Sequence, residues 1–302
     1  MNDNGHFALV KRPSSAIEKA APGAKRIMVM MVSDTMKFAQ AQGLFFTEVK
    51  NWYLTGEKYY HGRGVPQSHA EALKWYRKAA EQGHASAQNK IGLIYASGQG
   101  VQRDDVEAVK WYHKAAEQGL AAAQYNIGIK YKSGKELITG QGIDLNYAEA
   151  VKWLTKAANQ KHPHSQFELG NLYARGKGVP KDIDAAVSLY LKAAEQRYAL
   201  AQYTLGDMFE RGRGVSQNYE EAVKWYRKAA EQGLLDAQFN LSEMYRKGLG
   251  VPKDNVKSTE WLDKALKTDK QAVWLRQVFA KTDKDIGTYP DRSQDIPPQT
   301  QQ

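Results

Sequence analysis

The chain has 302 residues, a formal charge of +10 and no cysteine, with ordinary hydrophobic (42%) and charged (25%) fractions. The lack of cysteine excludes disulfides, cysteine–zinc sites and thiol nucleophiles together. The positive excess is read as a Lys/Arg-rich solvated helix face, with an acidic partner such as nucleic acid, anionic lipid or an acidic protein as the sharper alternative.

Residues 1–45 carry Pro13, Ser14, Ser15, Pro22 and Gly23, the punctuation of a flexible segment. Lys25-Arg26 and the apolar run Ile27–Val32 resemble a signal peptide, but six residues fall short of the roughly 7–15 of a signal core, and Asp34 ends the run. No apolar run reaches the ~18 residues of a membrane span. The expected compartment is the cytoplasm, while secretion and a periplasmic location stay compatible with the composition. A short helix after Ser33, over 34–42, is expected to cap the region from residue 46 onward; a docking or targeting segment is the alternative.

From residue 46 to 269 a two-helix grammar repeats. The first stretch carries a small residue, a Gly and an aromatic at i, i+5 and i+8: Ala87, Gly92 and Tyr95, then Ala123, Gly128 and Tyr131, then Ala201, Gly206 and Phe209. These lie close to one helical face, and a Gly that costs ~1 kcal/mol inside a helix is expected to permit close contact with a neighbour. A loop such as Gly98-Gln99-Gly100-Val101 comes next, its first Gly placed to end the helix. Three residues past the Val stand Ser68, Asp104, Asn146, Asp182, Asn218 and Asp254, all favoured N-caps. A second helix therefore starts there, with Ala72, Trp75 and Ala79, or Ala108, Trp111 and Ala115, at the spacing of a buried face. On this pattern Trp fills the space between helix pairs. Gly83, Gly119 and Gly233 close the second helix; Lys161 and Arg197 stand there in two copies. Six inserted residues, 134–139, lengthen one loop. Residues 270–282, with Ala272, Leu275, Val278 and Phe279 on one face, are predicted to form a capping helix, and 283–302 a disordered polar tail.

Trp75, Trp111, Trp153, Trp225 and Trp261, with Leu189 in the sixth copy, mark the period: 36 residues, except 42 between Trp111 and Trp153. A fixed period in this range means a repeat array.

The unit A-x-x-x-x-G-x-x-Y-x-x-G-x-G-V-x-x-[DN]-x-x-x-A-x-x-W-Y-x-K-A-A-E-Q-G resembles the Sel-one-like repeat, a relative of the tetratricopeptide repeat. The match is most specific at Tyr95–Gln124 and Phe209–Gln238; Asn51 replaces the small residue in the first unit, and Lys267-Thr268-Asp269 replaces Glu-Gln-Gly in the last. The resemblance implies an all-α fold, a right-handed α/α superhelical solenoid of about six helix-turn-helix repeats. It also implies an adaptor or scaffold role in protein complexes, often bacterial, and carries no catalytic residue set.

No enzyme constellation stands out. The Gly-x-Gly loops come after helices and lack a Lys-Ser/Thr, so they are not phosphate cradles. His162-Pro163-His164 lacks further ligands for a metal. No catalytic residue, metal or cofactor is therefore assigned. The alternatives kept are a hydrolase of the cell-wall or β-lactam type, which would need a nucleophile–base pair, and an anionic-surface binder. By analogy with tetratricopeptide proteins, first-helix positions line a concave groove that binds a peptide or helical partner segment. One register holds Tyr53, Asn89, Tyr125, Phe167, Tyr203 and Phe239, an aromatic ladder suited to anchoring a peptide or, alternatively, to packing between units. Another holds Leu93, Ile129, Asn171, Asp207 and Glu243, turning acidic along the chain, which predicts a partner with a basic or polar part. Lys74, Lys78, Lys110, Lys114, Lys152, Lys156, Lys224 and Lys228 form a convex stripe interleaved with Glu at i+3, a pattern of salt-bridged solvated surface rather than nucleic-acid binding. Nothing in the sequence sets the oligomeric state.

Overall fold

The structure, a computed structural model, describes residues 43–134 and 144–268. The expected helix at 34–42, the insertion beyond Gly134, the capping helix at 270–282 and the tail at 283–302 lie outside the described residues. Within them are twelve α-helices and no strand: α1 (43–61), α2 (His69–Glu81), α3 (Ala85–Ser97), α4 (Asp105–Glu117), α5 (Ala121–Ser133), α6 (Tyr147–Asn159), α7 (Pro163–Arg175), α8 (Ile183–Glu195), α9 (Ala199–Arg211), α10 (Tyr219–Glu231), α11 (Leu235–Lys247) and α12 (Asn255–Thr268). None of these helices is long and apolar enough to cross a membrane. Odd-numbered helices are the first of each pair and even-numbered helices the second. The chain divides after Leu120 into two compact units, one holding α1–α4 and the other α5–α12.

The local signals act as the sequence predicts. The side chains of Ser68, Asp104, Asn146, Asp182, Asn218 and Asp254 each accept from the backbone N–H three residues on, at 2.8–3.2 Å. Each of these residues also donates its own N–H to the carbonyl of the first-helix aromatic, as Asp104 does to Tyr95 at 3.0 Å. Asn146 makes that bond to Tyr131 at 3.0 Å, so the pair keeps its closing contact despite the insertion. The first helices end at a left-handed residue such as Gly176 (φ 64°), and Gly178, two residues on, has its missing Cβ position 2.5 Å from the Tyr147 carbonyl of the preceding pair. The second loop glycine therefore admits a backbone-to-backbone approach that no side chain allows. Where the second helices end, Lys161 and Arg197 adopt φ of 63° and 65°, the left-handed conformation that Gly83, Gly119 and Gly233 take at the same position.

Thirteen-residue helices are marginal alone, so packing must hold them. Its centre is the residue after each Trp. Tyr76, Tyr112 and Tyr226 are fully buried and Tyr190 nearly so. Each packs directly against the glycine of its partner helix: a Cβ on Gly92 would sit 2.5 Å from Tyr112, and one on Gly206 would sit 2.5 Å from Tyr226. Leu154 takes this place against Gly128. In the last pair Ser242 replaces the Gly, and its hydroxyl donates to the Ser258 carbonyl at 2.8 Å. The Ala positions flanking the ring, such as Ala222 and Ala229, are fully buried.

As expected, Trp packs between helix pairs, but at the rim rather than on the fully buried face. Trp75, Trp111, Trp225 and Trp261 are only partly buried; Trp153 alone is buried. Trp111, Trp225 and Trp261 pack at the rim of the preceding pair's core. A Tyr one residue on points 100° around the helix and meets the one surface flat enough to take a ring, the glycine face.

A polar seam accompanies the apolar one. In the first unit Gln88 donates to the Ala80 carbonyl at 3.1 Å and accepts from Gln118 at 2.7 Å. In the second, Gln166, Gln202 and Gln238 donate to the carbonyls of Ala158, Ala194 and Ala230 at 2.9–3.3 Å. Gln124, Gln166 and Gln202 accept from Gln160, Gln196 and Gln232 at 2.7–2.9 Å. Gln88, Gln166 and Gln202 thus each tie their helix both to the preceding pair and to the end of their own second helix. In the last pair Thr268 holds the sequence position of the donor, and the buried Gln238 Oε1 has no hydrogen-bond partner among the described residues.

Candidate functional site

With the second-helix consensus committed to packing, the first-helix faces hold the side chains that differ between repeats. In the first unit, Tyr53 stacks on His84 (centroids 4.6 Å apart) and lies 5.8 Å from Tyr76. Burial, followed by the charge of Glu57, pushes the Tyr53 phenol up to about 12, so it stays protonated. Asn89 is buried. Glu57, which holds the Leu93 register in α1, accepts from the Tyr76 hydroxyl at 2.6 Å and pairs with Lys90 at 2.9 Å. Burial raises its carboxyl, but the hydrogen bonds from Tyr76 and Lys90 outweigh that and hold it below the usual value.

In the second unit the ladder rings are half-buried. Phe167 and Tyr203 lie 5.6 and 5.7 Å from the core rings Tyr190 and Tyr226. Tyr125 lies 5.1 Å from His162, and Phe167 5.3 Å from Tyr198, the residue that begins the next first helix. Tyr125, Tyr203 and Phe239 each keep part of their surface exposed. Burial pushes the Tyr125 and Tyr203 phenols up to about 12. These rings therefore pack against the core and keep part of their surface exposed.

The second register is strongly bonded. Ile129 is half-buried. Asn171 accepts from the Tyr190 hydroxyl at 2.8 Å and donates to Glu168, which pairs across α5 and α7 with Lys132 at 2.6 Å. Asp207 pairs with Arg211 at 2.5 Å and with Arg213 at 3.7 Å. Glu243 takes a two-pronged bond from Arg246, both contacts at 2.8 Å, and a third from Lys247 at 3.1 Å. Burial raises the Glu243 carboxyl, but the bonds from Arg246 and Lys247 hold it below the usual carboxylate value. The acidic residues singled out from the sequence are thus present but satisfied by the chain's own bases.

The first turns of the same helices hold a register that the sequence pattern does not single out. His164 and Asp236 are exposed there, and Leu200 is 40% exposed, all three at 36-residue spacing. That periodicity is the available signal; it falls at positions with no consensus residue to draw the eye.

The lysine stripe is engaged as its spacing predicts. Lys74, Lys110, Lys152 and Lys224 pair with Glu71, Glu107, Glu149 and Glu221 at 2.6–3.2 Å. Lys78, Lys114, Lys156 and Lys228 sit over the Trp rings at 4.0–4.4 Å. Among the described residues no cluster of three or more His, Cys, Asp or Glu is placed to hold a metal.

Comparison with known proteins agrees with this architecture. The Sel1 repeat matches six consecutive segments, 53–84, 85–120, 121–162, 163–198, 199–234 and 235–267. A protective antigen of uropathogenic Escherichia coli displaying an SLR fold is 34% identical, with a TM-score of 0.70 over 80% of this chain and 51% of that one. A Sel1 repeat protein from Oxalobacter formigenes is also 34% identical, with a TM-score of 0.67 over 76% of this chain and 65% of that one. The chain therefore spans about half the length of the first relative and 65% of the second. No curated protein matches it.

Proposed function

The chain belongs to the Sel1 repeat family of all-α repeat solenoids, whose members generally mediate protein–protein interaction, and from that premise we propose that it is a non-catalytic scaffold that binds a segment of a protein partner on its first-helix faces. One observation carries the reading: the residues that recur along the repeats are consumed in caps, glycine–tyrosine packing and the glutamine seam, while Tyr125, Phe167 and Tyr203 keep partly exposed rings on faces whose neighbouring residues change from repeat to repeat. Rigid aromatic side chains lose little conformational entropy on contact and anchor binding well.

The test is affinity capture of partners followed by mass spectrometry, repeated with Tyr125→Ala, Phe167→Ala and Tyr203→Ala and with helicity followed by circular dichroism. Loss of partners from a fully helical variant supports the reading. Unchanged capture by all three folded variants removes it.

A further inference from the structure

The first helices of the second unit carry five carboxylates, and four of them are spoken for. Glu168 is bonded to Lys132, Asp207 to Arg211, Glu210 accepts from the Tyr226 hydroxyl at 2.6 Å, and Glu243 is bonded to Arg246. The fifth, Asp236 in the first turn of α11, is exposed and forms no ion pair among the described residues. Its charge is felt at Tyr203, after burial the largest influence raising that phenol. One repeat earlier, at the same register, Leu200 is 40% exposed. One repeat before that, His164 is exposed, its ring 4.6 Å from Tyr198 and 5.7 Å from Tyr125. An apolar and aromatic platform therefore leads to an unpaired carboxylate along a single line.

Resting on the interaction reading above, we propose that this line reads an extended segment of a protein partner, with an apolar side chain seated on His164, Tyr198 and Leu200 and a basic side chain three residues away meeting Asp236. The spacing comes from geometry. Within the second unit neighbouring first helices meet through their side chains, as the 2.6 Å bond between Lys132 and Glu168 shows for α5 and α7. Packed helix axes lie about 8–10 Å apart, and an extended segment in the polyproline II conformation rises about 3.1 Å per residue with three residues per turn, so side chains three apart face the same way. Three residues of an extended segment thus match one repeat. A helical segment, rising about 1.5 Å per residue, would need six or seven. The apolar contact supplies affinity, and the exposed ion pair supplies orientation and discrimination against acidic segments.

The probe is a phage-displayed library of random twelve-residue peptides selected on the immobilised full-length chain. An enriched peptide is then measured by fluorescence anisotropy. The expected peptides share an apolar residue and a Lys or Arg three positions apart. Asp236→Lys weakens binding at least ten-fold and Asp236→Asn several-fold, while exchanging the peptide's base for Glu restores binding to Asp236→Lys. Leu200→Glu weakens binding to a similar extent. The thermal melts of all variants stay near that of the wild type, since both positions are exposed. Peptides that bind but ignore Asp236→Lys, or whose pair is spaced by six or seven, overturn this inference and leave the interaction reading standing. A library that yields no binding peptide at all overturns both.

Discussion

Gln202 and Gln238 occupy the same position in consecutive repeats, are almost equally buried (3% and 5% exposed), and differ in one bond. Gln202 donates to Ala194 and accepts from Gln232; Gln238 donates to Ala230 and accepts from none of the described residues. Replacing Gln202 with Leu removes two hydrogen bonds, each worth about 0.5–1.5 kcal/mol net. The groups left behind are partly cared for: the Ala194 carbonyl still accepts from the Arg197 N–H at 2.9 Å, and Gln232 is exposed and still reaches the Lys228 carbonyl at 3.3 Å. The expected loss is therefore about 1–3 kcal/mol. Gln238→Leu removes one bond, but it also removes a buried unpaired acceptor that itself costs about 1–3 kcal/mol, so that variant falls near neutral or gains stability. Urea unfolding followed by circular dichroism compares the two, and hydrogen exchange of the α9 and α11 amides guards against loss of two-state behaviour in a repeat array. Equal destabilisation of the two variants, or a larger loss in Gln238→Leu, would refute the seam as a source of stability.

Gly206→Ala should destabilise by about 1–3 kcal/mol despite its better helix propensity, because the added methyl lies 2.5 Å from the fully buried Tyr226 ring; a melting temperature at or above wild type would contradict the packing assigned to that pair. Lys161→Gly and Arg197→Gly should each raise stability by up to about 1 kcal/mol, since both residues hold a left-handed backbone that Gly adopts freely; differential scanning calorimetry reads the gain. His162 caps α7 through Nδ1, which accepts from the Ser165 N–H at 3.3 Å, and burial, with help from His164, holds the ring below its usual pKa. The neutral cap therefore contributes its full stability above the ordinary histidine value of about 6.5, and the contribution fades as pH falls through the lowered value. His162→Asn should keep the cap and flatten that limb of the stability–pH profile.

Much of the scaffold is written locally. Six N-caps, the loop glycines and the 36-residue period each depend on residues close in sequence, so reading them requires no knowledge of packing. That Tyr76 rather than Trp75 is the fully buried ring is not legible in the sequence, because the two are aromatic neighbours on one helix and the choice between them is made by Gly56 on another. The glutamine seam is hidden for a similar reason: a buried Gln is acceptable only once its partner, 30 residues along in Gln88 and Gln118, is brought to it. For the candidate site, register alone locates the ladder rings, but their packing against the core rings depends on the neighbouring helix. The pairing of Asp207 with Arg211 and of Glu243 with Arg246 lies one helical turn away and is legible in principle from spacing. Asp236 escapes notice in the sequence because its importance comes from lacking such a neighbour.

The central claim is that the consensus builds the scaffold and the first-helix faces receive the partner. Hydrogen–deuterium exchange of the full chain with and without a bound partner segment tests this directly. The account predicts new protection confined to the first helices, strongest over α7, α9 and α11, with α6, α8 and α10 unchanged. Protection centred on the second helices, along the Lys–Trp rows, would contradict it.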